Sequence, residues 1–267
     1  MQSVTDLANG NTPAPGTKDA NGVPIYMGDY HYNTSGNAAT YSYDGNGNLT
    51  SDWNKNISSI QYNFLNLPQT ITAGKGSINY VYDAAGNKLQ KQTIEGSTVT
   101  TTLYIGGIVY QNNVLQFIAH EEGRIRVNSS NNGYIFDYYL KDQLGNTRMT
   151  ITDDNTVSTP VIDATSYYPF GLVMKGISSQ AAGKLENKFK YNGKEQQHQE
   201  FSDGSGLKWY DYGARMQDPQ LGIWHNIDPL AEKNRRWSPY VYGADNSIRF
   251  IDPDGWKLMT LIGKKLT

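Results

Sequence analysis

"YSYDGNGNLT", residues 41–50, is the stretch on which the fold turns. Its two tyrosines alternate, so both rings lie on one face of a strand. Asp44 can close a turn with its side chain, Gly47 supplies a positive φ, and Asn48 tolerates the left-handed region. The strand then returns through Leu49. "YVYDAAGNKL", residues 80–89, repeats Tyr-x-Tyr-Asp-x-x-Gly-Asn with Asp83, Gly86 and Asn87, and returns through Leu89. "YYLKDQLGNTR" keeps the Asp-x-x-Gly-Asn spacing with Asp142, Gly145 and Asn146. The three aspartates are 39 and 59 residues apart, close to two and three units of about 20. "YNFLNLPQTI", residues 62–71, falls where a degenerate unit is expected. Each unit reads as a β-hairpin with aromatic residues on one face. A single hairpin is marginal alone, so neighbours must stack to bury that face.

The rest of the composition agrees with a mostly β chain. Among 267 residues there are 20 Tyr and 27 Gly, and hydrophobic residues make up only 37%. Tyr and Thr favour strands, whereas Gly and Asn favour turns. The net charge of −2 gives no electrostatic footprint for nucleic acid or an anionic membrane. The absence of cysteine excludes disulfides and thiolate metal sites, and fits a secreted or cell-surface protein. The N-terminal 22 residues lack the basic start and apolar centre of a signal peptide. No stretch reaches the roughly 18 apolar residues that span a bilayer.

Near the other end, "HNIDPLAE" (225–232) and "IRFIDPDGW" (248–256) each carry an Asp-Pro step. Asp-Pro commonly starts a turn, and Asp-Pro-Asp-Gly is a good turn sequence in itself. The same two steps also read as paired carboxylates. Two neighbouring carboxyls sharing one proton can divide the roles of base and acid.

These residues reach a family. The Tyr-x-Tyr-Asp-x-x-Gly-Asn units resemble the YD repeats of RHS proteins. "YYLKDQLGNTR", "SYYPFGLVM" and "KYNGKEQQ" resemble the approach to the RHS repeat-associated core domain in its Bacteroidetes style. "WYDYGARMQDPQLGIWHNIDPLAE" and "WSPYVYGADNSIRFIDPDG" resemble that core itself. The resemblance covers roughly residues 40 to 256 and is most specific over 209–255. It implies stacked hairpin repeats in a curved or spiral sheet, closed by the core as a plug. It also implies division into a linker (1–23), repeats (24–165), the core (166–256) and a short tail (257–267).

In many members the core cuts itself from an enclosed C-terminal toxin. Carried over residue by residue, the resemblance makes Asp228 and Asp252 the catalytic carboxylates and Arg215 their orienting partner. The cut falls between Trp256 and Lys257, with Gly255 giving the backbone room to approach. The implied protein is a secreted or cell-surface part of a polymorphic toxin system, an aspartyl peptidase acting only on itself. Its implied partners are the enclosed toxin and secretion-system components, with no cofactor. The sequence departs from the pattern in places. Ile223 replaces an expected arginine, Met216-Gln217 replaces an aromatic, and Trp256 stands where Leu or Met is usual. The 11-residue tail, "KLMTLIGKKLT", is too short for a folded toxin, so the chain reads as the C-terminal part of something longer.

Two other readings stay open: a non-catalytic protein binding cell-surface glycans through its tyrosine faces, and a degenerate remnant. Other sites are poorly supported. His31, His120, His198 and His225 show no ligand spacing, so no metal site is expected. Neither Gly-x-Ser-x-Gly nor a phosphate-loop pattern occurs. "DGNGN" resembles a calcium loop but has Lys55 where the twelfth-position glutamate belongs. "EGRIRV" and "KNRR" read as solvated surface. Residues 178–201 alone have helix-forming composition and suggest a short helix or loop, with Gly183 and Gly193 against one long helix.

Overall fold

The computed structural model describes residues 13–18, 24–26, 40–128, 133–179, 186–233, 235–256 and 258–260. Its architecture follows from one turn used repeatedly. Asp44 Oδ1 accepts from the Asn46 and Asn48 amides at 2.9 and 2.8 Å, and Oδ2 accepts from Asn48 Nδ2 at 2.9 Å. Asp83 makes the same three bonds with Ala85 and Asn87. Asp142 makes them with Leu144 and Asn146. In the degenerate unit Asn63 takes the aspartate's place, accepting from the Leu65 and Leu67 amides, and Asn66 replaces the glycine at φ 56°. Each turn ends in a residue of positive φ and a bulge, the usual three-residue hairpin closure.

Those turns fold the repeat region into thirteen antiparallel strands, from Tyr41–Tyr43 to Val161–Ala164, laid down in strict chain order. Register places an isoleucine row, Ile60–Ile71–Ile78, across three neighbouring strands on one face. The bulge has a further effect. Leu49 returns opposite Tyr43 and is buried. In the second unit Lys88 takes that place opposite Tyr82, while Leu89 is displaced to the surface. Lys91 lies opposite Tyr80, so two lysines three residues apart share the inner face.

The expected curling of this sheet into a closed spiral is not what forms. Every strand pairs only with its sequence neighbours, so the sheet is an open meander that neither closes nor curls. Its apolar face is covered by a second layer. Strands Glu195–Gln197, Trp209–Asp211, Met216–Asp218 and Ile223–Trp224 form a separate four-stranded sheet. Phe201, Leu207, Trp209 and Met216 pack from this layer onto Tyr41, Leu49, Ile57, Ile60, Ile71, Ile78 and Tyr80. Burial that a spiral would obtain from successive coils is obtained here face to face.

Behind the small sheet lies an aromatic cluster of Tyr191, Tyr210, Tyr212, Trp224 and Tyr242. Its hydroxyls are satisfied internally: Tyr212 and Tyr242 both donate to Asn192 Oδ1, at 2.8 and 2.5 Å. Residues 186–201, the described part of the later half of the stretch read as a short helix or loop, hold a 3-10 turn, Tyr191–Gly193, and the strand Glu195–Gln197. Gly193, at φ 67°, closes another turn of the same backbone pattern, from Lys190 to Lys194. Two short pairings complete the described backbone: Pro13–Lys18 with Pro24–Tyr26, and Phe250–Ile251 with Met259–Thr260.

Buried charges join the layers. Lys88 Nζ lies 2.6 Å from both Glu195 and Asp211. Lys91 reaches Glu200 at 3.3 Å and Gln197 at 3.1 Å. Lys55 bridges Asp52 in its own sheet to Asp218 in the other. Burial pushes the Glu195 carboxyl up, but Lys88 and Lys91 outweigh it and hold the group at about 2. Its folded value lies below its ordinary 4.5, so the stabilisation is complete above that pH and is lost as pH falls towards about 2. Glu195→Gln is therefore expected to flatten the fall of Tm between pH 5 and pH 2, measured by circular dichroism. Ile71→Ala should cost about 2–5 kcal/mol in urea unfolding, as a truncation in a filled core.

Candidate functional site

The site is built around Arg215, which follows the Gly213 turn and leads into the strand Met216–Asp218. Its guanidinium lies over the Trp224 ring, 4.2 Å from the centroid. Nε donates to the Gly255 carbonyl at 2.6 Å. Nη2 reaches Asp228 Oδ2 at 3.3 Å and Asp252 Oδ2 at 3.1 Å. Burial lowers the guanidinium below its ordinary value, opposed by the two aspartates. An arginine stays charged even so.

Both Asp-Pro steps are turns. Asp228 Oδ1 accepts from the Leu230 amide at 2.7 Å, and Asp252 Oδ1 accepts from the Gly255 amide at 2.8 Å. The other oxygen of each carboxylate faces Arg215. The two readings of these steps are therefore geometrically compatible: one oxygen shapes the loop, and the second is presented to a shared cation. With both carboxylates ionised the trio carries −1, and with one shared proton it is neutral. A cavity of about 30 Å³ opens beside them, with Asp228, Ser238, Gly243, Asp252 and Leu258 in its lining. It has room for one or two water molecules and not for a side chain.

Gly255 sits at φ 77°, and a Cβ there would lie 3.0 Å from the Arg215 backbone nitrogen. The close approach thus requires glycine. The Trp256 amide donates to Asp254 Oδ1 at 2.9 Å, and its side chain is half exposed. Lys257 lies outside the described residues. Ile223 stands next to Trp224 in a strand, so it points away from the face that meets Arg215. An arginine at position 223 would thus fall on the opposite side of that strand.

The repeat-turn aspartates are not gathered into one site, since each closes its own hairpin. Two of the turns do dock on the segment after residue 186. Tyr240 Oη donates to the Gly47 carbonyl at 2.9 Å, and the Leu49 amide donates to the His225 carbonyl at 2.9 Å. A Cβ on Gly47 would come within 2.4 Å of Ile227, the neighbour of Asp228. On the far side, the Asn192 amide donates to Asn146 Oδ1 at 2.8 Å. Several residues around the site escaped the sequence reading. Trp224 was not read as a site residue. Lys55, Asp52 and Asp218 gave no signal, because 163 residues separate Lys55 from Asp218. His225, buried against Trp209 at 4.0 Å and near Asp218, is pushed down by burial to about 3 and is neutral.

No protein-family model matches the chain. Among curated proteins, Salivary gland surface protein 1 of Aedes aegypti is 33% identical over 127 residues, covering 47% of this chain and 3% of that protein. The tRNA3(Ser)-specific nuclease WapA of Bacillus spizizenii is 25% identical over 232 residues, covering 83% of this chain and 9% of that protein. Among solved structures, the TcdB2-TccC3-Cdc42 crystal structure aligns with a TM-score of 0.62 at 17% identity, over 80% of this chain and 11% of that one. The Photorhabdus luminescens Tc holotoxin pore aligns with a TM-score of 0.62 at 17% identity, over 84% and 11%. The chain therefore shares its fold with Tc-toxin components and has weak sequence homology to WapA. It spans a tenth or less of the curated relatives' length.

Arg215→Met leaves two carboxylates facing each other with no cation between them. Removing one partner of a buried charge group costs about 3–5 kcal/mol. Chemical denaturation of the variant at pH 7 should show a loss of that size, and an unchanged midpoint would mean that Arg215 does not hold the two loops together.

Proposed function

We propose that this chain is the shell-and-core part of a secreted toxin-type protein, and that its core cuts the chain after Trp256. The observation that carries the reading is the convergence of Asp228, Asp252 and the Gly255 carbonyl on one arginine. The fold shared with Tc-toxin components and the weak homology to WapA support the wider role, in which a longer native protein carries a C-terminal toxin beyond residue 256. Secretion-system components would then be its partners in export.

The chemistry follows from the residue types. A water in the small cavity loses a proton to one carboxylate as its oxygen adds to the Trp256 carbonyl carbon. The other carboxyl, holding the shared proton, supports the developing oxyanion. The proton taken from water passes to the Lys257 nitrogen, and the C–N bond breaks. The products are a new carboxyl on Trp256 and a free amine on Lys257. Arg215 acts by position: it grips the Gly255 carbonyl, one residue before the cut, and sets the orientation of both carboxylates.

Intact mass of the 267-residue chain against time near neutral pH tests this, beside Asp252→Asn and Asp228→Asn. Neutral pH avoids acid scission of Asp-Pro bonds. The parent is expected to lose residues 257–267, and neither variant should. A parent that stays whole, or a variant cut at the same rate, would overturn the reading.

A further inference from the structure

The hairpin sheet has an outer face, turned away from the second layer, and its character changes along the chain. Over the earlier strands that face is polar. Gln61, Thr70, Asn79, Gln92 and Thr101 stand directly opposite one another across five strands. Thr70 donates to Asn79 at 3.0 Å and Gln92 to Thr101 at 3.3 Å. Polar side chains outward and apolar ones inward are what an antiparallel sheet with one solvated face requires. Over the later strands that rule fails. Ile105, Ile108, Ile118, Ile125 and Phe136 form a row on the same face, from the strand of Thr101 across four more. A second row runs from Tyr138 through Ile151 to Val161. The alternate positions Arg124, Arg126, Ile135 and Asp137 point inward and are buried, so neither row has a place in the interior.

Single apolar residues on a surface are ordinary, but a contiguous patch is not. Tyr134, Ile105 and Leu140 are 65, 56 and 50% exposed, and Phe136, Tyr138 and Val161 keep more than a third of their surface. At roughly 150–250 Å² per whole aromatic side chain and less per aliphatic one, the patch leaves on the order of 800 Å² open to water. One partner in a standard protein interface contributes about 800 Å², whereas the largest patch on a typical monomer is about 300–600 Å². The side chains in the two rows carry no charge, and Asp153 at the rim turns its carboxylate onto the Phe136 amide at 2.7 Å. That neutrality points to a like partner. In a two-fold interface the same surface of each copy meets its equivalent, so a charged patch would oppose like charges and an apolar one does not. Interfaces between identical subunits are also more apolar than those of transient complexes, which match the rest of the protein surface.

We infer that two copies of this chain pair face to face through the later half of the sheet, with Phe136 and Tyr138 near the centre of the contact. The two sheets stack about 10 Å apart, as in a β-sandwich. The polar ladder of the earlier strands stays in water beside the contact. The second layer and the arginine site lie on the opposite side of each sheet and take no part.

Sedimentation equilibrium of the full chain at neutral pH, over a concentration series spanning the micromolar range, tests this. The parent is expected to show twice the mass of a single chain, because interfaces of this area hold in the micromolar range or tighter. Tyr138→Glu and Leu140→Glu, both at exposed positions, each set an unpaired carboxylate into the patch and should weaken pairing by about tenfold or more. Gln61→Lys adds a charge to the same face outside the patch and should leave the dimer intact. Melting separates a lost contact from a lost fold. The parent's Tm should rise with protein concentration, and each Glu variant should melt at one concentration-independent temperature, that of the dilute parent. A parent that stays single at every concentration, Glu variants that pair as tightly as the parent, or a Gln61→Lys chain that falls apart would each overturn the inference. A single-chain parent that instead floats with phosphatidylcholine vesicles would also overturn it and assign the patch to a lipid surface. Loss of residues 257–267 changes the mass by far less than a doubling, so self-cleavage and pairing are read separately.

Discussion

The structure depends on the meeting of lysines from the hairpin sheet with carboxylates from the second layer. Lys88 stands between Glu195 and Asp211, Lys91 faces Glu200, and Lys55 reaches Asp218. All lie where water is largely excluded. A buried charge without its partner is strongly destabilising, whereas a matched pair is close to neutral. Each layer alone would therefore carry uncompensated charge as well as an exposed apolar face. Hydrophobic contact between Ile71, Ile78, Trp209 and Met216 supplies the attraction. The ion pairs restrict that attraction to one register, since a slip by one strand would set carboxylates against isoleucines.

That registration carries through to the candidate site. The Asp44 turn closes at Gly47, whose bare Cα lets Ile227 and Tyr240 settle against it. Ile227 immediately precedes Asp228, and the Asp228 amide donates to the Pro239 carbonyl, next to Tyr240. Leu49 and Asn66 hold His225 and Asn226 from the repeat side. The loop bearing one carboxylate is thus clamped from the first two hairpins. The loop bearing the other is held by Arg215 and by its own Asp252–Gly255 turn. Repeat turns that look like mere hairpin closures also position a loop about 180 residues further along the chain.

The hairpins were legible because their information is local. Asp, Gly and Asn at fixed offsets dictate the turn, and the alternating tyrosines dictate the face. The loose copy at Asp142 forms the same three bonds, and the degenerate one at Asn63 forms the two to backbone amides. What the sequence hid depends on register and on contacts between distant segments. Lys88 and Lys91 are three residues apart, and simple alternation would place them on opposite faces. The bulge at Leu89 brings them to the same one, and a bulge is set by the turn's backbone rather than by a periodic pattern. The open sheet was misjudged for a related reason: the hairpin pattern says that a face must be buried, but not by what. Composition over 178–201 left a short helix or a loop open, whereas Gln196 and Gln197 pair with Tyr210 and Trp209, and that tertiary pairing overrides propensity.

Two ordinary turn sequences stand at this site for a geometric reason. An Asp-Pro turn uses one carboxylate oxygen to bind an amide two or three residues on, which fixes the side-chain torsion. The second oxygen is then aimed by the backbone, without extra residues to orient it. Two such turns facing one arginine give a pair of carboxylates whose directions are set by local geometry and whose separation is set by a single planar cation. Proline after each aspartate removes an amide that would otherwise compete for that oxygen. The Trp224 ring beneath the guanidinium limits its tilt. A turn and a charged site are therefore one construction here. The feature that makes these steps look like simple loop closures is the feature that turns one oxygen of each towards Arg215.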